Sequence, residues 1–470
     1  MLRMLVAGLL LSSAVMAQRL PSDQLGEQKL RQYAGLALDW ERQYLRINTS
    51  NPPGNEIAAA RWFKQVFDAE GIPSQVFEFR PGRANIIAWV RAGSAATERP
   101  LILLNHMDVV TSDPARWKTP PFSAEIIGGS VYGRGAQDMK SIGVAQLLVM
   151  VMLKREGVAL NRDVIFLGTA DEEVDDAGSD WMIANHPELL RNAEYLLTEG
   201  GETLAQGDAV QYVGIDTAEK SPFWIHIAAA GRPGHGSRPL PDSAPNELVR
   251  ALGKLVAYRT ELKILPVTEA FLAAMAPLEQ GERARCFRDP RAAIHDNRCA
   301  QMIGADESLN YMFRNTVSLT MLKGSEQTNV IPGEAWANVD VRLLPGEEPQ
   351  DFLALIRKVV SEPGVSVEAQ QKKFRRANAS RLDTPLFSAI KDVSAHYFGN
   401  APVVPRLSSG YTENQMYREL GITCYGFNPY TATPEEGATH HGDNERIRVS
   451  EVQRGFRVLY DVVMEVSAGK

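Results

Sequence analysis

The stretch Leu101-Ile102-Leu103-Leu104-Asn105-His106-Met107-Asp108 decides how this chain folds. Residues 100–104 form an apolar run of strand length, and the run ends on an imidazole and a carboxylate. Residues 85–90 upstream, and 162–169 and 193–198 downstream, are further short apolar runs. Between them, residues 139–155 are apolar at helical spacing and follow Asp138, a residue type favoured as a helix cap. Strands and helices therefore alternate from Leu25 to about Asp216. That alternation predicts an α/β fold, a mixed twisted sheet flanked by helices on both faces.

From about Glu219 the texture changes. Residues 223–229 are strand-like, 231–241 form a Gly/Pro-rich loop, and 244–258 carry a helical pattern. Residues 266–313 read as irregular, 316–322 and 335–343 as strands, and 352–360 as a helix. This is a smaller α+β unit. A further helix at 385–397 and more strand-like stretches suggest a return to the first unit. The predicted organisation is a catalytic domain from 18–218 and 376–470, interrupted by an inserted lid or dimerisation domain at 219–375, as chains tolerate when termini lie close together.

The 470 residues favour two domains, and 44% hydrophobic with 23% charged residues is the balance of a globular protein. A net charge of -7 argues against a nucleic-acid partner, which selects a basic excess. Arg3, the apolar residues 5–15 and Val15-Met16-Ala17 before Gln18 read as a signal peptide cleaved after Ala17. The run is shorter than the ~20 residues a spanning helix needs. The mature protein is expected to be secreted or periplasmic, with no membrane attachment. Cys286, Cys299 and Cys424 lack a zinc-ligand spacing. Cys286 and Cys299 either close a local disulfide in an oxidising compartment or remain two thiols.

Carboxylates and imidazoles recur at the ends of the predicted strands: His106 and Asp108, Asp171-Glu172-Glu173, and Glu199, with Asp138 at the helix start. In open α/β sheets these ends converge on the binding crevice. Acidic groups meeting there repel one another unless a cation lies between them. His with carboxylate donors suits Zn2+, with Co2+ or Mn2+ as substitutes. Taken singly each residue has a blander reading: a structural histidine, a solvated helix start, an ordinary turn. Their joint occurrence in this order is the specific signal.

Five motifs carry a resemblance: Leu104-Asn105-His106-Met107-Asp108, Gly133-Arg134-Gly135-Ala136-Gln137-Asp138-Met139-Lys140, Asp171-Glu172-Glu173, Thr198-Glu199-Gly200 and His441-Gly442-Asp443-Asn444-Glu445. In these the chain resembles the dinuclear zinc exopeptidase family of aminoacylases, the bacterial glutamate carboxypeptidase, carnosinases and the succinyl-diaminopimelate desuccinylase. The resemblance implies two zinc ions per chain: one held by His106 and Glu199, the other by Glu173 and His441, with Asp138 bridging. His440 is a rival to His441, and the family's spacing selects His441. Glu172 matches the general base. Asp108 matches the acid that supports a ligating imidazole; two residues from His106 on a strand, it is expected on the same side. His235, in Gly231-Arg232-Pro233-Gly234-His235-Gly236-Ser237, matches a lid histidine that stabilises the oxyanion, often from the partner of a dimer. Asn329 and Arg342 match binders of the substrate carboxylate. The competing reading for Arg342 is a pair with Asp340 on a solvated strand face. Gly410 matches a stretch that touches substrate, but Tyr411 and Glu413 beside it depart from the family's smaller residues.

The implied activity is hydrolysis of an amide or peptide bond next to a free C-terminal carboxylate, of carboxypeptidase or dipeptidase type. An N-acyl-amino-acid amidohydrolase of aminoacylase type needs the same anchor and the same water. A catalytically silent binding protein on this scaffold is the third reading, and silent relatives lose ligands that are all present here. The expected partners are a small peptide or N-acyl amino acid and a second copy of the chain through the inserted domain.

Overall fold

A computed structural model describes residues 20–469 except 208, 372, 373 and 400. The predicted signal segment lies outside the described residues. Ten strands form one mixed sheet among the described residues. From one edge it runs Ser74–Arg80, Arg83–Val90, Val164–Thr169, Leu101–His106, Tyr195–Thr198, Thr423–Gly426, Ala209–Glu219, Glu202–Gln206 and Thr431–Ala432, with Val403–Ser408 paired to Ala209–Glu219. Leu101–His106 is parallel to both its neighbours, as is Tyr195–Thr198 to Thr423–Gly426. The outer hairpin Ser74–Arg80 with Arg83–Val90 is antiparallel.

Side-chain alternation explains why the central strands are apolar along most of their length. Leu101 and Leu103 join the core beneath the helices Glu27–Leu45, Lys140–Arg155 and Val449–Ser467, whereas Ile102 and Leu104 join the core on the other face. The helix Lys140–Arg155 is buried over nearly its whole length. It approaches the sheet closely: a Cβ on Gly143 would lie 2.9 Å from Oδ1 of Asn105. Asn105 in turn donates to Gln146 of that helix at 2.8 Å.

Two expectations are corrected. Asp138 does not cap the helix; Met139 occupies the cap position, with no side-chain capping bond, and the Asp138 carboxylate is taken up by histidines instead. Residues 266–313 are helical. Short helices at Pro266–Met275, Gly281–Arg288, Pro290–Ala293, Asn297–Ala305 and Glu307–Asn310 fill the stretch, tied by a disulfide between Cys286 and Cys299. Phe271, Leu272, Phe287 and Phe313 of this segment share a core with Val404 and Leu407, so the segment packs on the strand Val403–Ser408 of the large sheet.

Among the described residues, a second sheet of five strands joins Ser221–Pro222, Ile225–Ala230, Thr316–Lys323, Glu334–Leu343 and Val365–Ala369. The helices Ala244–Ala257 and Pro349–Val359 cover one of its faces.

Candidate metal centre

The parallel strands Leu101–His106, Val164–Thr169 and Tyr195–Thr198 end at the same level of the sheet, where His106 pairs with Thr169 in the register. His106 is the last residue of its strand, Glu199 follows the third strand directly, and Glu173 lies four residues beyond the second. Asp138 enters from the loop before the helix Lys140–Arg155, and His441 from the loop before the strand Arg446–Arg448. The five side chains meet. Nε2 of His106 lies 2.9 Å from Oδ1 of Asp138 and 3.5 Å from Oε2 of Glu199. Nε2 of His441 lies 2.8 Å from Oδ2 of Asp138 and 3.3 Å from Oε2 of Glu173. Asp138 thus offers one oxygen to each histidine.

These donors fit a divalent transition metal. His106, Asp138 and Glu199 each place one donor atom within 4.8 Å of the others, and so do Asp138, His440 and His441. His440 remains a neighbour of the site: its Nε2 lies 2.7 Å from Oδ2 of Asp138. The electrostatics record the crowding. Burial and the Asp138 charge push the Glu199 carboxyl up to about 8. Burial, together with the charges of Glu199, Asp176 and Glu173, holds the Glu172 carboxyl well above its ordinary range. A cation between these carboxylates would relieve that mutual repulsion.

Asp108 supports the site differently from the sequence reading. Nδ1 of His106 bonds the backbone oxygen of Asp108 at 3.0 Å, while the carboxylate oxygen Oδ1 stands 3.7 Å away. The strand ends at His106, so the alternation that would aim the Asp108 carboxylate at the imidazole no longer applies. The carboxylate instead accepts the backbone N–H groups of Glu172 at 3.1 Å and Glu173 at 3.2 Å. It fixes the loop that presents both glutamates.

Sequence reasoning missed the residues that brace these loops. Nδ2 of Asn51 donates to Asp108 at 2.8 Å and to Asp171 at 2.7 Å. Nothing in Asn51-Pro52-Pro53 marked it, because its partners lie more than fifty residues away. Glu445 accepts from Arg134 at 2.7 Å and from the N–H groups of Gly135, Gln137 and Asp138. Arg134 also donates to the backbone oxygens of His441 and Gly442. Both residues lay inside the quoted motifs, so the signal was present without a role attached.

The remaining candidates stand apart from this cluster in their contacts. His235 is exposed; its Nδ1 accepts from the N–H of Ser237 at 3.1 Å and meets the Ser237 hydroxyl at 2.9 Å. Its strand Gly234–His235 pairs with Val330–Ile331, which places Asn329 alongside: the backbone oxygen of Asn329 accepts from the N–H of Gly236 at 2.7 Å. Arg342 is held by Asp340 through bonds of 2.8 and 3.1 Å. Gly410 donates its N–H to the Ser408 hydroxyl at 3.1 Å. Beside it, the Tyr411 hydroxyl donates to Asp176 at 2.6 Å, and Glu413 accepts from Thr169 at 2.8 Å and from Ser179. The two bulky departures are thus bound into the catalytic sheet's surroundings.

Known proteins resemble this chain in sequence and fold. The chain is 27% identical to human aminoacylase-1 over 423 residues, covering 89% of this chain and 92% of that protein. It is 28% identical over 397 residues to the N-fatty-acyl-amino acid synthase/hydrolase of Xenopus tropicalis, covering 82% of this chain and 75% of that one. Its fold matches the M20 family metallo-carboxypeptidase Sso-CP2 of Sulfolobus solfataricus with a TM-score of 0.69 at 18% identity, over 91% of this chain and 98% of that one. Human carnosine dipeptidase 1 matches with a TM-score of 0.65 at 15% identity, over 93% and 99%. Residues 102–465, which contain every member of the His106–His441 cluster, match the description Peptidase family M20/M25/M40, and the chain belongs to that family of hydrolytic metalloenzymes.

Proposed function

We propose that this protein cleaves an amide bond next to a free carboxylate with two metal ions, zinc by the chemistry of the donors. His106 and Glu199 would hold one ion, Glu173 and His441 the other, and Asp138 would contact both. The observation that carries the reading is the Asp138 carboxylate, which turns Oδ1 to His106 and Oδ2 to His441. When bound, such a metal pair acidifies water and polarises the scissile carbonyl. Glu172, on the loop anchored by Asp108, takes the proton of the attacking water and returns it to the leaving amine. Arg342 and Asn329 bind the substrate carboxylate, and His235 faces the developing oxyanion. Metal analysis of purified protein, before and after chelation, tests this. The expected result is about two zinc ions per chain, with hydrolysis lost on stripping and regained with Zn2+, Co2+ or Mn2+. Full activity in stripped protein would sink the reading.

The choice between peptides and N-acyl amino acids rests on the relatives. Likeness to aminoacylase-1 across 89% of the chain favours N-acyl amino acids as a second reading beside the carboxypeptidase or dipeptidase one. Parallel rates on dipeptides and N-acetyl amino acids separate the two. We also propose export through the signal segment, a compartment in which the Cys286–Cys299 disulfide persists; a mature protein beginning at Met1 would refute this. A homodimer through the second sheet is supported by exposed Met321 and Leu322 on the strand Thr316–Lys323 and exposed Val249 and Val256 on the helix Ala244–Ala257. A monomer by light scattering at micromolar concentration would count against it.

A further inference from the structure

Several buried or half-buried arginines of this protein face an acid. Arg134 meets Glu445, Arg83 meets Glu56 and Asp171, and Arg342 meets Asp340. Among the described residues, the half-buried Arg314 and the exposed Arg259 do not. They line one cavity of about 390 Å3, bounded by the chain after the helix Ala244–Ala257, the end of the helical segment and the start of the strand Thr316–Lys323. Thr260, Asn310, Thr316 and Ser318 share the lining, and among the described residues no carboxylate does. Arg259 spends its Nη1 on the backbone oxygens of Val256 and Tyr258. The side chain of Arg314 bonds no described residue, and its Nε is buried without a partner. Glu347, behind Asn315, is already occupied by Lys263 and by Nδ2 of Asn315 at 3.0 Å.

For Arg314 such an arrangement costs free energy unless something else completes it. Two guanidiniums share a concavity, so each raises the potential at the other, and a buried donor without an acceptor carries its full desolvation penalty. Burial, with Arg259 next in importance, brings the Arg314 pKa below its ordinary value. An oxyanion between them would relieve both costs, since a guanidinium fork pairs two oxygens at once. The hydroxyl of Thr316 accepts from Nζ of Lys220 at 3.0 Å, which leaves its own proton free to donate into the cavity. Gly304 keeps the space open: a Cβ there would lie 3.2 Å from Nη2 of Arg314. The volume is more than twice that of a cavity able to hold benzene, ~150 Å3, so an oxyanion with a small body attached fits.

We propose that this cavity is a binding site for the phosphate or carboxylate group of a small solute, gripped between Arg259 and Arg314 and donated to by Thr316. It uses none of the residues assigned to metal or substrate above. It also touches the joint between the two sheets. Lys220, which links the strand Ala209–Glu219 to Ser221–Pro222, donates to the backbone oxygens of Tyr311 at 3.1 Å and Arg314 at 2.9 Å.

Hydrogen exchange on the full-length, metal-loaded chain tests the site, because it localises binding away from the metals. Inorganic phosphate and acetate are titrated separately at constant ionic strength, since charge pairs are screened by salt. The expected result is protection of residues 258–260 and 311–318 by at least one of the two. Protection by phosphate alone assigns a phosphate ligand, and protection by acetate alone a carboxylate. Arg314→Gln and Arg259→Gln should each raise the dissociation constant about tenfold or more, the loss expected for a charged hydrogen bond. Arg314→Lys keeps the charge without the fork and serves if the glutamine variant does not fold; it too should weaken binding. No local protection by either anion, or constants unchanged in these variants, overturns the proposal.

Discussion

Glu172 and Glu173 are chemically alike and adjacent, yet they are placed for different work. Glu173 reaches His441 at 3.3 Å, within the cluster that fits a metal, whereas burial and the neighbouring carboxylates raise the carboxyl of Glu172, the proposed base, well above its ordinary range. Glu172→Gln should therefore keep its metal content and lose about 10²–10⁴-fold in kcat, the share that proton transfer contributes. Glu173→Ala should instead lower metal occupancy. A Glu172→Gln enzyme with ordinary turnover would remove Glu172 from the mechanism. A different carboxyl sets a pH dependence of stability. Glu41 is fully buried, neither of its oxygens has a hydrogen-bond partner among the described residues, and burial pushes it up to about 8 against the opposing charge of Lys140. Between about pH 4.5 and about pH 8 the folded protein keeps a proton that the unfolded chain has released. Stability should then fall as pH rises through this window. Glu41→Gln, which carries no such proton, should gain relative to the wild-type chain by up to about 4 kcal/mol at the alkaline end and show no difference at the acid end. Urea unfolding at several pH values reads this directly, and a difference that does not change with pH would refute it.

Elements bring these residues together, and some elements were readable where others were not. The central strands were legible because a strand buried on both faces is apolar along most of its length, and because ligand-type residues stand at or just beyond some of their ends, as His106 does in Leu101–His106 and Glu199 does after Tyr195–Thr198. The helices of residues 266–313 were not. Each is ten residues or shorter, Pro266 and Pro290 stand at helix starts, and so no window is long enough for a helical period to emerge. The site shows the same division. Its ligand-type side chains sit at strand ends and in motifs, whereas the brace from Asn51 to Asp108 and Asp171 joins distant segments and leaves no local pattern. The Arg134–Glu445 pair is the brace with the largest predicted effect. It is buried, and it ties the loop of Asp138 to the loop of His441. Glu445→Ala should leave Arg134 charged and unpaired, cost about 3–5 kcal/mol, and lower metal affinity although no donor is removed. Unchanged metal affinity in a folded Glu445→Ala protein would show that the brace serves stability alone. In the helical segment, the Cys286–Cys299 bond closes a loop with a sequence separation of 13. Replacing both cysteines by alanine should cost about 3 kcal/mol by loop entropy, visible as a lower unfolding midpoint in the oxidised protein.

Across the whole molecule, the proposed metal donors and the proposed carboxylate binder Arg342 are carried by different sheets. His106, Glu173 and Glu199 lie on or just beyond strands of the large sheet, whereas Arg342 lies in the strand Glu334–Leu343 of the small one. A substrate held at both ends must bring the two sheets' surfaces together, and its binding energy is then available to close them and exclude water. Arg342 does not wait unpaired for that event. Asp340 holds it bidentately, and both side chains are 29% exposed. An ion pair so exposed contributes little to stability, which leaves the guanidinium exchangeable: a substrate carboxylate can replace Asp340 without a large penalty. Arg342→Ala should lower kcat/KM on free-carboxylate substrates by about 1.5–3 kcal/mol, roughly ten- to a hundredfold, the value of a hydrogen bond to a charged group. The same substrates amidated at the C-terminus lack the charge and should lose far less. Asp340→Asn removes the competitor's charge and should leave the preference for carboxylate over amide intact or increased. Equal losses on carboxylate and amide substrates in Arg342→Ala would mean that the arginine serves the strand and not recognition. A preference for carboxylate that collapses in Asp340→Asn would mean that Asp340 positions the guanidinium for substrate instead of competing for it.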